Sequence, residues 1–251
     1  MRQSLAITHS ILKMKIALIG YGKMGQAIEQ TALAQGHEIV LHIGIENLED
    51  FTIENVAKAD AAIEFTSPHS AVENIKKCMD AGVAVVSGST GWLQQWNEIQ
   101  EYVTVKKGAL IYASNFSIGV NLFFELNSFL AGFMSKHDNY NVSMEEIHHT
   151  QKKDAPSGTA ITLAEQVMAH IKTKKHWVNH TSDIGEELEI ISERIDPAPG
   201  THKIKYSSAI DDIEIIHTAH NRQGFASGAV MAAEFICGKK GIFTMKQVLG
   251  F

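Results

Sequence analysis

Short apolar runs alternate with amphipathic stretches through the first half of the chain, and each run has the length of one secondary-structure element. The apolar runs predict five buried strands, at Lys15 to Ile19, His37 to Ile43, Ala61 to Phe65, Val83 to Val86 and Ala109 to Ala113. The amphipathic stretches predict helices that end near Gln35, cover Ser70 to Ala81, and run from Trp92 to about Val105. Strands that alternate with helices in this way are typical of a doubly wound parallel sheet, so we expect an α/β, Rossmann-like fold.

The pattern changes after Asn121. Asn121 to about Ser135 is too apolar on all sides for a surface helix, and we expect it to be buried between domains or subunits. Later segments predict about four strands and two further helices: strands at Asn141 to Ile147, Glu189 to Ile195, His202 to Ile210 and Ile213 to His220, and helices at Thr159 to Ile171 and Ser227 to Cys237. One helix against one open sheet leaves the other sheet face bare, so this α+β domain is expected to pack against copies of itself.

Composition and charge narrow the class of protein. The 251 residues are 45% hydrophobic, enough for one large core or two modest ones, and the formal charge of −6 argues against nucleic acid as a partner. Cys78 and Cys237 lie far apart and suggest neither a disulfide framework nor a metal spacing, which favours a reducing compartment, the cytoplasm. No apolar run is long enough for a membrane span, and residues 1–13 do not have the pattern of a secretory signal.

The stretch from Glu146 to Ala160 concentrates groups that can do chemistry. It holds two adjacent histidines, two lysines and an aspartate, and a helix begins just after Pro156-Ser157-Gly158. Free backbone N–H groups at that helix start, with the Ser157 and Thr159 hydroxyls, would suit a carboxylate or phosphate. The alternative is a hydrophilic loop with a good helix cap, but the combination favours a functional site, in which either histidine could exchange a proton near neutral pH.

A metal site is a second alternative for this stretch, since His148, His149 and Asp154 could each supply a ligand. Neighbouring residues on an extended strand point to opposite sides, and no cysteine or further carboxylate completes a cluster nearby. We therefore predict no metal.

A glycine-rich turn follows the first strand, with the residues Gly20, Tyr21, Gly22, Lys23, Met24 and Gly25 leading into a helix. A strand, a glycine turn and a helix in this order favour a dinucleotide site over the alternative, a plain tight turn. The choice between NADH and NADPH stays open. Gly44 stands near the position where an acidic residue usually holds the ribose, while Glu46 could reach the ribose and Lys23 could face a 2′-phosphate.

Three motifs resemble those of the 4-hydroxy-tetrahydrodipicolinate reductase (dihydrodipicolinate reductase) family: His-His-x-x-Lys-x-Asp-Ala-Pro-Ser-Gly-Thr-Ala from His148, Gly-Ser-Thr-Gly from Gly88, and Ala-Ser-Asn-Phe-Ser from Ala113. Ser89 stands where the family has a threonine, and the first glycine loop is one residue shorter than in the family. The resemblance implies reduction of 4-hydroxy-2,3,4,5-tetrahydrodipicolinate, a dicarboxylate, to tetrahydrodipicolinate with NADPH or NADH, in lysine and diaminopimelate biosynthesis, by a homotetramer formed through the second domain's sheet.

Residue roles follow from the same resemblance and from the chemistry of the stretch. His148 and Lys152 would be catalytic, and the substrate would be held by His149, Ser157, Gly158 and Thr159. In addition to the first glycine loop, the cofactor contacts would be Gly88, Ser89, Thr90, Ala113, Ser114, Asn115 and Phe116.

The resemblance also implies a discontinuous cofactor domain. Residues 1–119 and 220–251 would bind the dinucleotide, and residues 120–219 would bind substrate and form the oligomer. Because the first strand begins near Lys15, residues 1–13 are interpreted as a loose arm or an upstream start. Two rival functions remain at this point: another two-domain nicotinamide dehydrogenase, and a non-catalytic sensor that binds a nicotinamide nucleotide.

Overall fold

The computed structural model describes residues 13–251, so the predicted loose arm lies outside the described residues except for Lys13. The chain divides into two compact units. The parallel-sheet unit comprises the residues up to Ala113 together with Ala226–Phe251, and the mixed-sheet unit is Ser114–Phe225.

Within residues 13–251 the chain forms eleven strands and eight α-helices. The strands are β1 (Lys15–Ile19), β2 (Glu38–Ile43), β3 (Ala61–Glu64), β4 (Ala84–Ser87), β5 (Ala109–Tyr112), β6 (Asn141–His148), β7 (His176–Val178), β8 (Glu187–Arg194), β9 (Gly200–Ser207), β10 (Asp212–Ala219) and β11 (Gly241–Phe243). The helices are α1 (Lys23–Ala34), α2 (Ile53–Val56), α3 (Ala71–Asp80), α4 (Trp96–Lys106), α5 (Ile118–Met134), α6 (Gly158–His170), α7 (Gln223–Ile236) and α8 (Met245–Leu249).

The parallel-sheet unit is built on six strands in the order β11-β5-β4-β3-β1-β2, and every pairing is parallel. Its central strands are buried on both faces, as the continuous apolar runs indicate; all four residues of β3 are inaccessible, including Glu64. The core includes Ile19, Ile75 and Leu110. This sheet and its helices confirm the predicted Rossmann-like fold.

The mixed-sheet unit has five strands in the order β10-β9-β6-β8-β7. Strand β6 is parallel to β8 and antiparallel to β9. Apolar side chains of α5 and α6 pack with the inward positions of the strands, where Leu163, Ile204 and Tyr206 are fully buried. The alternate strand positions stay half-exposed, as the period-2 pattern of β6 and β9 requires.

Some elements differ from the sequence-based expectation. The fifth strand β7, the edge strand β11 and the short helix α2 were not predicted, because three or four residues carry too little periodicity to recognise. Helix α5 begins at Ile118 rather than Asn121, because the Ser117 hydroxyl caps it by accepting a hydrogen bond from the Val120 N–H.

Helix α5 was expected to be buried on all sides. Within the mixed-sheet unit one of its faces is buried, at Val120, Phe123 and Ala131, whereas Phe129 and Phe133 are more than half exposed. Among the helices of residues 13–251, none has both the length and the apolar character to cross a membrane.

Candidate active site

The N-terminus of helix α6, where the sequence predicts an anion site, is capped by a serine. Ser157 is the N-cap, and its Oγ accepts a 3.2 Å hydrogen bond from the Ala160 N–H. The first intrahelical bond runs from the Ile161 N–H to the Ser157 carbonyl, so the N–H groups of Gly158 and Thr159 have no partner inside the helix. Gly158 is exposed and Thr159 is half-buried, which leaves these donors accessible to a carboxylate.

Glu146 is a fully buried carboxylate beneath this helix start. Its Oε1 accepts hydrogen bonds from Ser157 N at 3.0 Å, Ser192 Oγ at 2.8 Å and Arg194 Nη2 at 3.2 Å. Its Oε2 lies 3.1 Å from Ser157 N and 3.3 Å from His148 Nδ1. Burial alone would raise the pKa of Glu146, but the nearby His148 ring and the hydrogen bonds from Ser157 and Ser192 outweigh burial and hold this pKa far below its usual range.

His148, the last residue of β6, is 8% exposed. Its buried Nδ1 lies 3.3 Å from Glu146 Oε2, an ion-pair contact that is long for a hydrogen bond. On its other side the ring meets Gly200, where a β-carbon would lie only 3.0 Å from His148 Nε2. The absence of a side chain at position 200 therefore keeps Nε2 uncovered.

A second histidine, His202 on β9, is 5% exposed and lies edge-on to His148, with the ring centres 5.1 Å apart. Its Nε2 is 3.1 Å from Ser157 Oγ and 3.8 Å from Glu146 Oε2. Burial, reinforced by the positive charge that His148 can carry, lowers the pKa of His202 to about 3. His202 is therefore a neutral imidazole at physiological pH and supports the helix cap without contributing charge.

Lys152 lies in the loop between β6 and α6. Its Nζ donates to both carboxylate oxygens of Asp154, at 2.8 and 2.9 Å, and the Asp154 carbonyl accepts from Arg194 Nη2 at 2.6 Å. Burial raises the pKa of Asp154, but the ammonium of Lys152 has the stronger effect and lowers it. The neighbouring His149 is half-buried, and Thr150 binds the Asp196 carboxylate through both its N–H and its hydroxyl.

The metal-ligand set weighed from the sequence was His148, His149 and Asp154. In the described part of the chain the ligand atoms that lie within 4.8 Å of one another belong instead to Glu146, His148 and His202. The Glu146 oxygens already accept from a guanidinium, a hydroxyl and a backbone N–H, and a metal cation would have to compete with the Arg194 charge. This donor set suits a hydrogen-bonded carboxylate better than a metal.

The glycine turn after β1 leaves room for a phosphate. Gly20 adopts φ +101°, a conformation that other residues rarely take, and a β-carbon there would meet the Phe65 carbonyl at 2.1 Å. Gly22 is the N-cap of α1, has no side-chain cap, and has no atom within 4 Å of the position of a β-carbon. The helix N-terminus is thus open to an anion at Gly22, which fits the pyrophosphate of a dinucleotide.

The loop from Gly88 to Thr90 is tied down by a second buried carboxylate, Glu64 at the end of β3. Ser87 Oγ and Ser89 Oγ donate to it at 2.6 and 2.7 Å, and Thr66 donates through both its N–H and its hydroxyl. Ser89 is thereby buried, with its hydroxyl directed to Glu64. Because the Ser89 hydroxyl is engaged by Glu64, a ligand at this loop would contact the loop backbone.

The predicted cofactor segment Ala113 to Phe116 crosses the boundary between the units. Ala113 closes the parallel-sheet unit, and its N–H donates to the Ser87 carbonyl at 3.3 Å. Asn115 belongs to the mixed-sheet unit, where its Oδ1 accepts from Ser117 N and its Nδ2 donates to Thr159 Oγ1 at 3.2 Å. Within that unit Asn115 therefore orients a predicted substrate residue.

Sequence reasoning missed five residues that organise these sites: Glu64, Glu146, Ser192, Arg194 and His202. A usable signal existed for two of them. On β6, Glu146 shares a face with Val142 and Met144, and on β9, His202 shares a face with Ile204 and Tyr206. A polar residue in register with an apolar face is buried and needs partners, so the alternation marks it as functional or structural.

Two family models together match almost the whole described chain. The model described as dihydrodipicolinate reductase, N-terminus, matches residues 14–116, and the model described as dihydrodipicolinate reductase, C-terminus, matches residues 119–249.

Among curated proteins, the 4-hydroxy-tetrahydrodipicolinate reductase of Christiangramia forsetii is 50% identical over 240 residues, which cover 94% of this chain and 98% of that protein. The enzyme of the same name from Methanosarcina acetivorans is 33% identical over 249 residues, 97% of this chain and 92% of that protein. Among solved structures, dipicolinate-bound dihydrodipicolinate reductase from Paenisporosarcina sp. TG-14 superposes with a TM-score of 0.70 at 24% identity, covering 93% of this chain and 98% of that one.

Proposed function

This chain belongs to the dihydrodipicolinate reductase family, and we propose that it reduces 4-hydroxy-2,3,4,5-tetrahydrodipicolinate to tetrahydrodipicolinate with NADH or NADPH. The resemblance seen in the sequence motifs is thereby confirmed. The reaction adds a hydride and a proton and releases water. It is the reduction step of lysine and diaminopimelate biosynthesis, and it makes the chain an oxidoreductase.

The observation that carries the proposal is the arrangement at the start of α6. Helix α6 begins with the backbone N–H groups of Gly158 and Thr159, which have no partner inside the helix. The buried Glu146 carboxylate contacts both the N–H of the helix cap, Ser157, and the ring of His148. A carboxylate of the substrate would bind at the helix N-terminus, where the dipole and the free donors favour an anion. The named ligand of the Paenisporosarcina structure, dipicolinate, is itself a dicarboxylate.

Roles for the side chains follow from their chemistry. His148 would supply a proton from Nε2, and Lys152, once released from Asp154, would bring an ammonium to the substrate. His149 would contact the substrate ring or its second carboxylate. Ser157 would act mainly through its cap, because its Oγ is engaged with Ala160 and His202.

A bound nicotinamide nucleotide supplies the hydride. The residues that would hold it are the Gly20–Gly25 turn, with its open position at Gly22, and the Gly88–Thr90 loop fixed by Glu64. Ala113 to Phe116 would complete the contacts. Both NADH and NADPH stay within the proposal.

We further propose that the enzyme is a cytoplasmic homotetramer formed through the half-exposed face of the mixed sheet. Support for assembly comes from the paired charges on that face, where Lys203 contacts Glu214 at 2.8 Å and Lys205 contacts Asp212 at 2.7 Å. Two free thiols agree with a reducing compartment. Light scattering of wild type and of Lys205→Glu tests the assembly: a tetramer that survives the reversed charge would argue against this face.

A coupled assay tests the reaction. The unstable substrate is generated by the upstream synthase in the cuvette, and loss of NADH or NADPH absorbance is followed. Turnover that depends on the synthase supports the proposal, and the two rates rank the nucleotides. Oxidation of an alcohol or amine substrate without reduction of the cyclic imine would favour another dehydrogenase, and nucleotide binding without turnover would favour a sensor.

A further inference from the structure

Glu146 lies beneath the start of helix α6 and beside the His148 ring, the anion-binding and proton-donating parts of the proposed site. The resemblance that identifies the family assigns Glu146 no role. The two carboxylate oxygens of Glu146 contact different sets of groups. Oε1 accepts from Ser157 N, Ser192 and Arg194, while Oε2 faces Ser157 N, His148 Nδ1 and, at 3.8 Å, His202. One carboxylate therefore touches the cap of the anion-binding helix and the ring of the proton donor.

We propose, on the basis of the function above, that Glu146 is a positioning residue that holds the His148 imidazole and the Ser157 cap on one buried carboxylate. It fixes the distance and angle between the group that gives a proton and the group that binds a substrate carboxylate. Glu146 itself is fully buried and touches no substrate.

The contact with Oε2 also selects which nitrogen reacts. A carboxylate oxygen can accept a hydrogen but cannot donate one, so we place the hydrogen of His148 on Nδ1, the nitrogen that faces Oε2 at 3.3 Å. Nδ1 is then occupied, and the proton delivered to substrate comes from Nε2, the nitrogen that Gly200 leaves uncovered. In this arrangement the imidazolium loses its Nε2 proton to the substrate and keeps the Nδ1 hydrogen.

The charges around Glu146 determine how its removal affects the pH dependence. On its own strand it faces His148, on β8 Arg194, on β9 His202, and in the loop before α6 it lies near Asp154, whose partner is Lys152. The positive charge that His217 on β10 can carry helps to lower the pKa of His202. Among these groups Glu146 is the carboxylate in contact with His148, at 3.3 Å from its Nδ1.

The test compares Glu146→Gln with Glu64→Gln in the assay coupled to the synthase. Glutamine keeps the shape and one acceptor oxygen but removes the charge. For Glu146→Gln we expect kcat to fall about 10²-fold, the usual effect of a displaced catalytic group, with the KM for the nucleotide unchanged. The pH profile of kcat should also move, because the variant removes the negative charge that faces His148 Nδ1 at 3.3 Å.

Glu64→Gln is the matched control, since Glu64 is also fully buried and also accepts hydrogen bonds from serine, in its case from the hydroxyls of Ser87 and Ser89. It should raise the KM for the nucleotide and leave the pH profile in place. Glu146→Asp, which keeps the charge, should recover part of kcat and restore the profile. A Glu146→Gln enzyme with wild-type kcat, or with reduced kcat and an unmoved profile, would overturn the proposal.

A measurement on the wild-type protein keeps the proposal testable if Glu146→Gln does not fold. Long-range ¹H–¹⁵N spectra report the tautomer of each neutral histidine, and His148→Gln assigns the signal. We expect the Nδ1–H tautomer for His148, and a neutral Nε2–H tautomer would refute the arrangement. The spectra do not depend on turnover, so failure of the proposed reaction would be recognised separately.

Discussion

Glu64 and Glu146 are both fully inaccessible carboxylates at or near the carboxyl end of a strand, one in each unit, yet they are held in different ways. Glu64 accepts hydrogen bonds from the serine and threonine hydroxyls and the backbone around Gly88. Glu146 accepts from a guanidinium and faces two imidazoles. The first carboxylate fixes a loop through neutral hydroxyl and backbone donors, whereas the second is surrounded by a guanidinium and two imidazole rings.

The two carboxylates indicate different roles for the two units in the proposed reaction. In the parallel-sheet unit, the proposed recognition depends on backbone shape, because glycines and helix N–H groups would contact an anion while side chains hold the loops. In the mixed-sheet unit, the proposed proton donors would act beside the start of α6. We therefore expect substitutions in the first unit to change nucleotide binding, and those in the second to change turnover and pH dependence.

The largest effect is expected for His148→Gln. Loss of the imidazole should lower kcat by about 10² or more, the usual contribution of a positioned acid or base, and leave the affinity for the nucleotide unchanged. Synthase-coupled turnover and nucleotide titration measure the two quantities. His176→Gln is a matched control, because His176 is likewise 3.3 Å from a carboxylate, that of Glu187, but on an exposed edge. Full turnover by His148→Gln would remove this histidine from the mechanism.

Acid should destabilise the mixed-sheet unit through His202. Its folded pKa of about 3 lies below the usual 6.5, so between these values the unfolded chain binds more protons and stability falls as the pH falls. The loss from pH 7 to pH 5 should reach about 2 kcal/mol, with the Glu146 carboxylate contributing little there because its folded pKa and the ordinary pKa of an unfolded glutamate both lie below pH 5. Urea unfolding of wild type and of His202→Asn at the two pH values measures this loss of folding stability.

The asparagine variant is expected to be less stable at every pH, since it loses a buried ring. Its loss of stability from pH 7 to pH 5 should nevertheless be smaller than that of wild type. An equal slope in the two proteins would show that other groups, such as the acid-sensitive surface pairs, account for the pH dependence.

The sequence predicts five of the six strands of the parallel sheet, because central strands are buried on both faces and the glycine turn is a local motif; the edge strand β11 and the short helix α2 were missed. The mixed-sheet unit is harder to predict. His148 and Lys152 lie in one continuous stretch and were recognised, whereas Ser192, Arg194 and His202 come from two other strands. They reach Glu146 only because β6 lies between β8 and β9, and that strand order follows from tertiary packing rather than from any local pattern.

Ser157 illustrates the same limit. Its hydroxyl was expected to face the ligand, but in the structure it caps α6 and contacts His202. A serine at a helix start is compatible with both uses, and the choice depends on a histidine that is distant in sequence.

The smallest effect tests whether shape alone controls the parallel-sheet unit. Gly22→Ala adds one methyl group at a position with no protein atom within 4 Å, so the fold should tolerate it. That same space is where a pyrophosphate would approach the α1 N-terminus, and the methyl should raise the Kd for NADH or NADPH roughly tenfold, about 1.4 kcal/mol. Gly185→Ala is the control, because Gly185 in the mixed-sheet unit is equally open. Calorimetric titration measures the Kd. If both variants bound the nucleotide as tightly as wild type, the nucleotide would have to bind elsewhere, and the proposed difference in role between the units would be wrong.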